Sequence, residues 1–182
     1  ERALALAPDD LPTLKAIGAL HAYWAKKRPD SAEWPKAIAA YQRALVVRPN
    51  DHDVLNDLYR TQFDGRDFAG ARDTATVLNG LYPNRSYFML DLADAQRELG
   101  DTAKALSTYR SVAKAADEYS EALYRSAVGL CKLGKARDGL ALFQQDVKNR
   151  KMSSSTLDSY NECRKAAGRP PATDADLRNG TL

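Results

Sequence analysis

The sequence predicts an all-α fold, a right-handed α-solenoid built from antiparallel helix pairs. Three observations predict it. Small and aromatic residues recur at an interval of 34 residues along most of the chain. Each copy holds two stretches whose apolar residues fall at helical spacing. A short turn divides the two stretches, clearest in Leu99-Gly100-Asp101-Thr102 and repeated in Leu133-Gly134-Lys135. A period of this length marks a repeat array, in which no helix pair buries its apolar face alone and neighbouring pairs supply the core.

In chain order, residues 1–10 (ERALALAPDD) read as the tail of a preceding repeat. The sequence is therefore expected to be a piece of a longer protein, with any targeting segment outside it. Residues 11–51 form the first full repeat. Asp10 caps its first helix and Pro12 sits in the first turn, where a missing N–H costs little. The insertion AKKRPDSAEWP follows, with Lys26, Lys27 and Arg28 as a solvated basic run and Trp34 as a loop anchor. The second helix ends at Pro49, which cannot donate back into it.

Ala37, Tyr41 and Ala44 lie at intervals of four and three, on one face of that helix. Ala71, Ala75 and Leu78 repeat them in 52–85, Ala105, Tyr109 and Val112 in 86–119, and Gly139 and Phe143 in 120–153. Gly18, Tyr59, Ala93 and Ala127 hold the matching tight-packing position of the first helices. Residues 154–169 read as a capping helix and 170–182 as a mobile tail.

Composition narrows the function. Of 182 residues, 44% are hydrophobic and 28% charged, which is a folded, soluble composition. Net charge is +3 from 27 basic and 24 acidic side chains, too even to call for nucleic acid. No apolar run reaches membrane-span length. Cys131 and Cys163 lie 32 apart without a CxxC pairing. They read best as two small apolar residues near the core, with a disulfide and an oxidising compartment as the alternative. His21 reads as a hydrogen-bonded core histidine and His52 as solvated. Neither sits with metal-ligand spacing, so no metal or other cofactor is expected. Gly129–Lys135 (GLCKLGK) has phosphate-loop spacing, but Ala136 replaces the magnesium-binding Ser or Thr and Gly129 falls inside a helical pattern. No nucleophile–base pair emerges, and the chain is not expected to be an enzyme.

At the repeated residues, from Ala37/Tyr41/Ala44/Pro49 to Leu99-Gly100 and Ala105/Tyr109, the chain resembles the tetratricopeptide repeat family. The resemblance implies that the first helix of each pair lines a concave groove. It assigns to that groove Asn56, Asp57, Arg60 and Phe63 in the second repeat, Tyr87, Asp91, Asp94 and Arg97 in the third, and Tyr124 and Arg125 in the fourth. The carboxylate-clamp pattern of some members is not met, because Ala19, Asp57, Tyr87 and Asp91 stand where amide or cationic side chains belong. The expected function is a protein-interaction scaffold that binds a peptide or partner helix. Asp53, Asp57, Asp64, Asp91 and Asp94 would suit a partner carrying basic residues, unless Arg60 and Arg97 neutralise them. The alternative is a self-associating structural module, or a tether in a larger envelope, secretion or enzyme complex. Nucleic-acid binding and direct membrane insertion are not expected, and the compartment stays open between cytoplasm and periplasm.

Overall fold

The computed structural model describes residues 10–28, 32–83, 85–115, 121–149, 154–173 and 176. Among them are nine α-helices and no strand. They are α1 (Leu11–Lys27), α2 (Glu33–Val47), α3 (His52–Asp64), α4 (Phe68–Leu81), α5 (Ser86–Glu98), α6 (Thr102–Ala115), α7 (Glu121–Lys132), α8 (Ala136–Asn149) and α9 (Ser154–Ala166). The chain divides into two units, Glu1–Asn84 with α1–α4 and Arg85–Leu182 with α5–α9. Within each unit, successive helices pack in pairs and every second helix also touches: α1 with α3, α5 with α7, α7 with α9. The tail of an earlier repeat, expected at residues 1–10, lies outside the described residues except for Asp10, as does most of 174–182.

Local chemistry sets the helix ends. The Asp10 carboxylate accepts the Thr13 N–H at 2.9 Å, Asp51 that of Val54 at 3.1 Å, and Asp67 that of Gly70 at 3.0 Å. Each thereby satisfies an otherwise open N–H of the first turn. The turns inside the pairs share one geometry. Arg66, Gly100, Gly134 and Gly168 stand 34 residues apart and all have positive φ, between 64° and 82°. After each, the next N–H reaches back to a carbonyl five residues earlier: Asp67 to Gln62, Asp101 to Gln96, Lys135 to Leu130, Arg169 to Arg164, at 2.8–2.9 Å. This is the Schellman closure of a helix C-terminus. Its recurrence after α9 puts the expected capping helix in the register of a first helix, one period beyond α7.

Small residues set the close approaches. Ala37, Ala71 and Ala105 are wholly buried, as are Ala75 and Ala93. In the first unit the Tyr41 ring lies against Gly18, where a Cβ would come within 2.7 Å of it. Leu14, Tyr41, Ala44, Val54 and Leu58 make the core beneath. In the second unit Tyr109, the residue two periods after Tyr41, fills the space that Gly129 leaves in α7. Its core runs through Leu90, Ala93, Val112, Ala122 and Leu130. Gly129 is thus a helical packing residue and Gly134 a turn residue, which disposes of the phosphate-loop spacing.

Four expectations meet the structure in different ways. Trp34 anchors as expected, its indole against Gly65. Part of the insertion in the first repeat is taken up by α1, which runs on to Lys27. Cys131 and Cys163 are not two separate apolar thiols but a disulfide joining α7 to α9, with Cα atoms 5.3 Å apart. The stretch expected to be mobile begins with an anchored segment. Asn161 bonds both the N–H and the carbonyl of Ala172, at 2.7 and 3.0 Å, and Ala172 is buried.

Candidate functional site

In the second unit the groove residues assigned from sequence converge on one guanidinium. The helical repeat puts Asp91 and Asp94 on a single face of α5, three residues apart. Arg125, one period after Asp91, projects from α7 toward that face. Its Nη2 donates to Asp91 Oδ1 at 2.7 Å and to Asp94 Oδ2 at 2.6 Å. Asp94 also accepts the Tyr109 hydroxyl at 2.5 Å, and Arg97 Nε donates to that hydroxyl at 3.3 Å. Arg97 continues to Glu98 at 2.8 Å. Three helices, α5, α6 and α7, are thereby tied through one polar chain.

Burial decides what this chain of contacts does. Asp91 is 2% exposed, so its carboxylate serves the fold and is out of a ligand's reach. Burial works against the charge on Arg125, but Asp94 and Asp91 outweigh it and hold the guanidinium's pKa above its ordinary value. Burial opposes Arg97 in the same way, and Tyr109, Asp94 and Glu98 outweigh it. Burial, with Asp94 added, pushes the Tyr109 hydroxyl well above the usual tyrosine range. Each of these three groups keeps one protonation state at neutral pH, so the cluster is a lock and not an acid–base device.

Above the lock stands Tyr87. It is 38% exposed, with the Arg125 guanidinium 5.2 Å from its ring centre and Phe88 edge-on at 5.4 Å. Tyr124 is half-buried, its ring edge-on to Phe143 at 5.9 Å and its hydroxyl 3.0 Å from Ser159 on α9. Tyr87 is therefore the exposed aromatic of this face, and the other groups hold the base under it.

In the first unit the acidic residues of α3 are paired with lysines of α1. Lys15 lies 3.5 Å from Asp53 and 3.9 Å from Asp51, and Lys26 lies 2.9 Å from Asp64. Lys26, Lys27 and Arg28 are exposed, as expected of a solvated basic run, and the Lys26 pair lies on the surface. Asp57 is half-buried; burial raises its pKa, while Arg60 and Lys15 pull it the other way. Arg60 is exposed and Asn56 half-buried. Phe63 stacks in the core-side aromatic row, 5.8 Å from Tyr59 and 5.5 Å from Phe68. Cationic side chains thus stand beside acidic residues drawn from sequence in both units: α1 lysines in one, Arg125 and Arg97 in the other.

In the sequence Tyr109 is legible only as a core residue, because helical spacing says nothing of what its hydroxyl bonds. Sequence reasoning missed the Asp91–Arg125 pair although the two stand one period apart, the separation that brings equivalent positions of neighbouring first helices together. His21 is half-buried, bonded through Nδ1 to Glu33 Oε2 at 2.5 Å. Among the described residues no three His, Cys, Asp or Glu side chains gather in a way that could hold a metal ion. No described helix is long and apolar enough to cross a membrane.

Comparison with known proteins agrees with this architecture. Residues 87–117 match the family model of the tetratricopeptide repeat. Among solved structures, a tetratricopeptide repeat protein from Parabacteroides merdae is 18% identical with a TM-score of 0.61, over 86% of this chain and 61% of that one. A thermophilic protein of this kind from Thermus thermophilus is 19% identical with a TM-score of 0.62, over 93% and 96%. YrrB, described as having an unusual peptide-binding site, is 12% identical with a TM-score of 0.58, over 92% and 82%. No curated protein matches in sequence. Residues 87–117 thus carry a tetratricopeptide repeat, and the chain has the all-α helix-pair fold of proteins built from such repeats. It spans about 61% of the length of the Parabacteroides protein.

Proposed function

We propose that the chain is a non-enzymatic interaction scaffold that receives a peptide or partner helix on the faces of its first helices, with Tyr87 as the anchor in the second unit. The carrying observation is the exposed Tyr87 ring seated on Arg125, which Asp91 and Asp94 fix from below. An aromatic held rigid before binding loses little side-chain entropy on contact, which is how few residues come to dominate an interface. In the first unit Asp53 stands one period before Tyr87, paired with Lys15. The neutralised carboxylates favour a partner recognised through apolar and hydrogen-bonding groups over one rich in lysine and arginine. The likeness to a solved repeat protein described as having a peptide-binding site supports the class of ligand.

The test is a displayed random-peptide library panned on the full chain. Selected peptides are expected to bind Tyr87→Ala at least about tenfold more weakly than the parent, and Lys104→Ala, on the exposed side of α6, equally well. Failure to select any peptide, or equal binding to Tyr87→Ala, removes this reading.

A further inference from the structure

We propose that the Cys131–Cys163 bond is a redox latch. Closed, it holds α9 and the anchored 170–173 segment on α7 and α8; a dithiol reductant opens it. Three observations carry this. First, α9 packs on α7 and α8, and the crosslink in its C-terminal half ties it to the first of them. Secondly, the crosslink starts from a tight approach of α7 and α8: position 139 is Gly where the equivalent residues 71 and 105 are Ala, and a Cβ there would strike both the Cys131 Sγ and the Ala127 carbonyl oxygen. Thirdly, the two sulfurs differ in access. Both cysteines border a cavity of about 200 Å³, but Cys163 is 1% exposed whereas Cys131 is half-buried.

That difference sets the order of events. A thiolate of the dithiol attacks the Cys131 sulfur, the S–S bond breaks, and the electron pair leaves on Cys163, which takes up a proton. The second thiolate of the reductant attacks the mixed disulfide, freeing Cys131 as a thiol and leaving the reductant as its own disulfide. Two electrons and two protons have then passed to the protein. The Cys163 thiol is left packed among Tyr160, Phe143 and Ala136. The closed form belongs to an oxidising compartment, where such bonds persist.

The experiment uses the full chain, air-oxidised and then treated with dithiothreitol. Thiol alkylation before treatment is expected to label neither cysteine; full labelling overturns the proposal. Hydrogen exchange followed by mass spectrometry is expected to show amides of 157–166 exchanging on the order of 100-fold faster after reduction, with α5 and α6 changing less than about threefold. Unchanged protection of α9, or loss of protection throughout the unit at once, overturns it. The double variant Cys131→Ser/Cys163→Ser is expected to match the reduced parent and ignore dithiothreitol; fully protected α9 in that variant also overturns the latch.

Discussion

Replacing Arg125 by Met tests the polar lock most sharply. The change keeps much of the side-chain length and removes the guanidinium that bonds both Asp91 and Asp94. Two carboxylates of α5 would then face each other across three residues, one of them nearly sealed from water. Unit charges about 4 Å apart interact by about 4 kcal/mol at an effective dielectric near 20. Breaking a buried pair by removing one partner costs about 3–5 kcal/mol, because the remaining charge has lost its compensation. We expect Arg125→Met to destabilise the chain by about 3 kcal/mol. With a urea slope of about 1–3 kcal/mol per molar, the midpoint falls by about 1–3 M. Far-UV circular dichroism during urea unfolding at pH 7 reads this directly. Asp91→Asn added to Arg125→Met is expected to restore at least half of the loss, since it removes the buried charge while keeping the shape. A loss below about 1 kcal/mol, or no recovery in the double variant, would refute the lock. Asp91→Lys would likewise report on folding, not on partner affinity, because Asp91 is buried.

Two further predictions concern stability. Gly100 has φ 82°, a region closed to most side chains, so Gly100→Ala should cost about 1 kcal/mol and lower Tm by about 2–4 °C; Arg66, at the equivalent turn with φ 64°, should give the opposite sign as Arg66→Gly, with a gain of about 0.5 kcal/mol, both read by calorimetry. Burial, with Asp57 added, pushes the Tyr41 hydroxyl up to about 12. Its folded pKa lies above the unfolded value of about 10, so its contribution is complete below about pH 10 and lost as pH rises from about 10 to about 12. That loss is on the order of 2 kcal/mol; Tyr41→Phe should flatten the fall in urea midpoint between about pH 9.5 and about pH 11.5, and an equally steep fall in the variant would contradict it.

The fold was legible because a 34-residue period is a statement about packing. Wherever two helices approach, the closest residue must be small, and Ala37, Ala71 and Ala105 advertise it. The turn at Arg66 was hidden because the chain places an arginine where Gly100 and Gly134 stand, so the conformation recurs without its usual residue. Gly168 carried the same signal, one period further on, and shows that α9 continues the register. The site was legible only as positions. Asp91 and Arg125 stand one period apart, but opposite charges at equivalent positions describe a bridge between neighbours as readily as a ligand-binding face, and burial decides between the two. The disulfide was obscured because its cysteines are 32 apart, two short of the period.

The claim that partners meet the first helices is tested most directly by photo-crosslinking. A selected peptide bearing a benzophenone group would be irradiated with the full chain and the adducts mapped by mass spectrometry. Adducts are expected on first-helix residues, foremost Tyr87 and its neighbours on α5 and α7. Adducts concentrated on α4, α6 or α8 would contradict binding at the first helices.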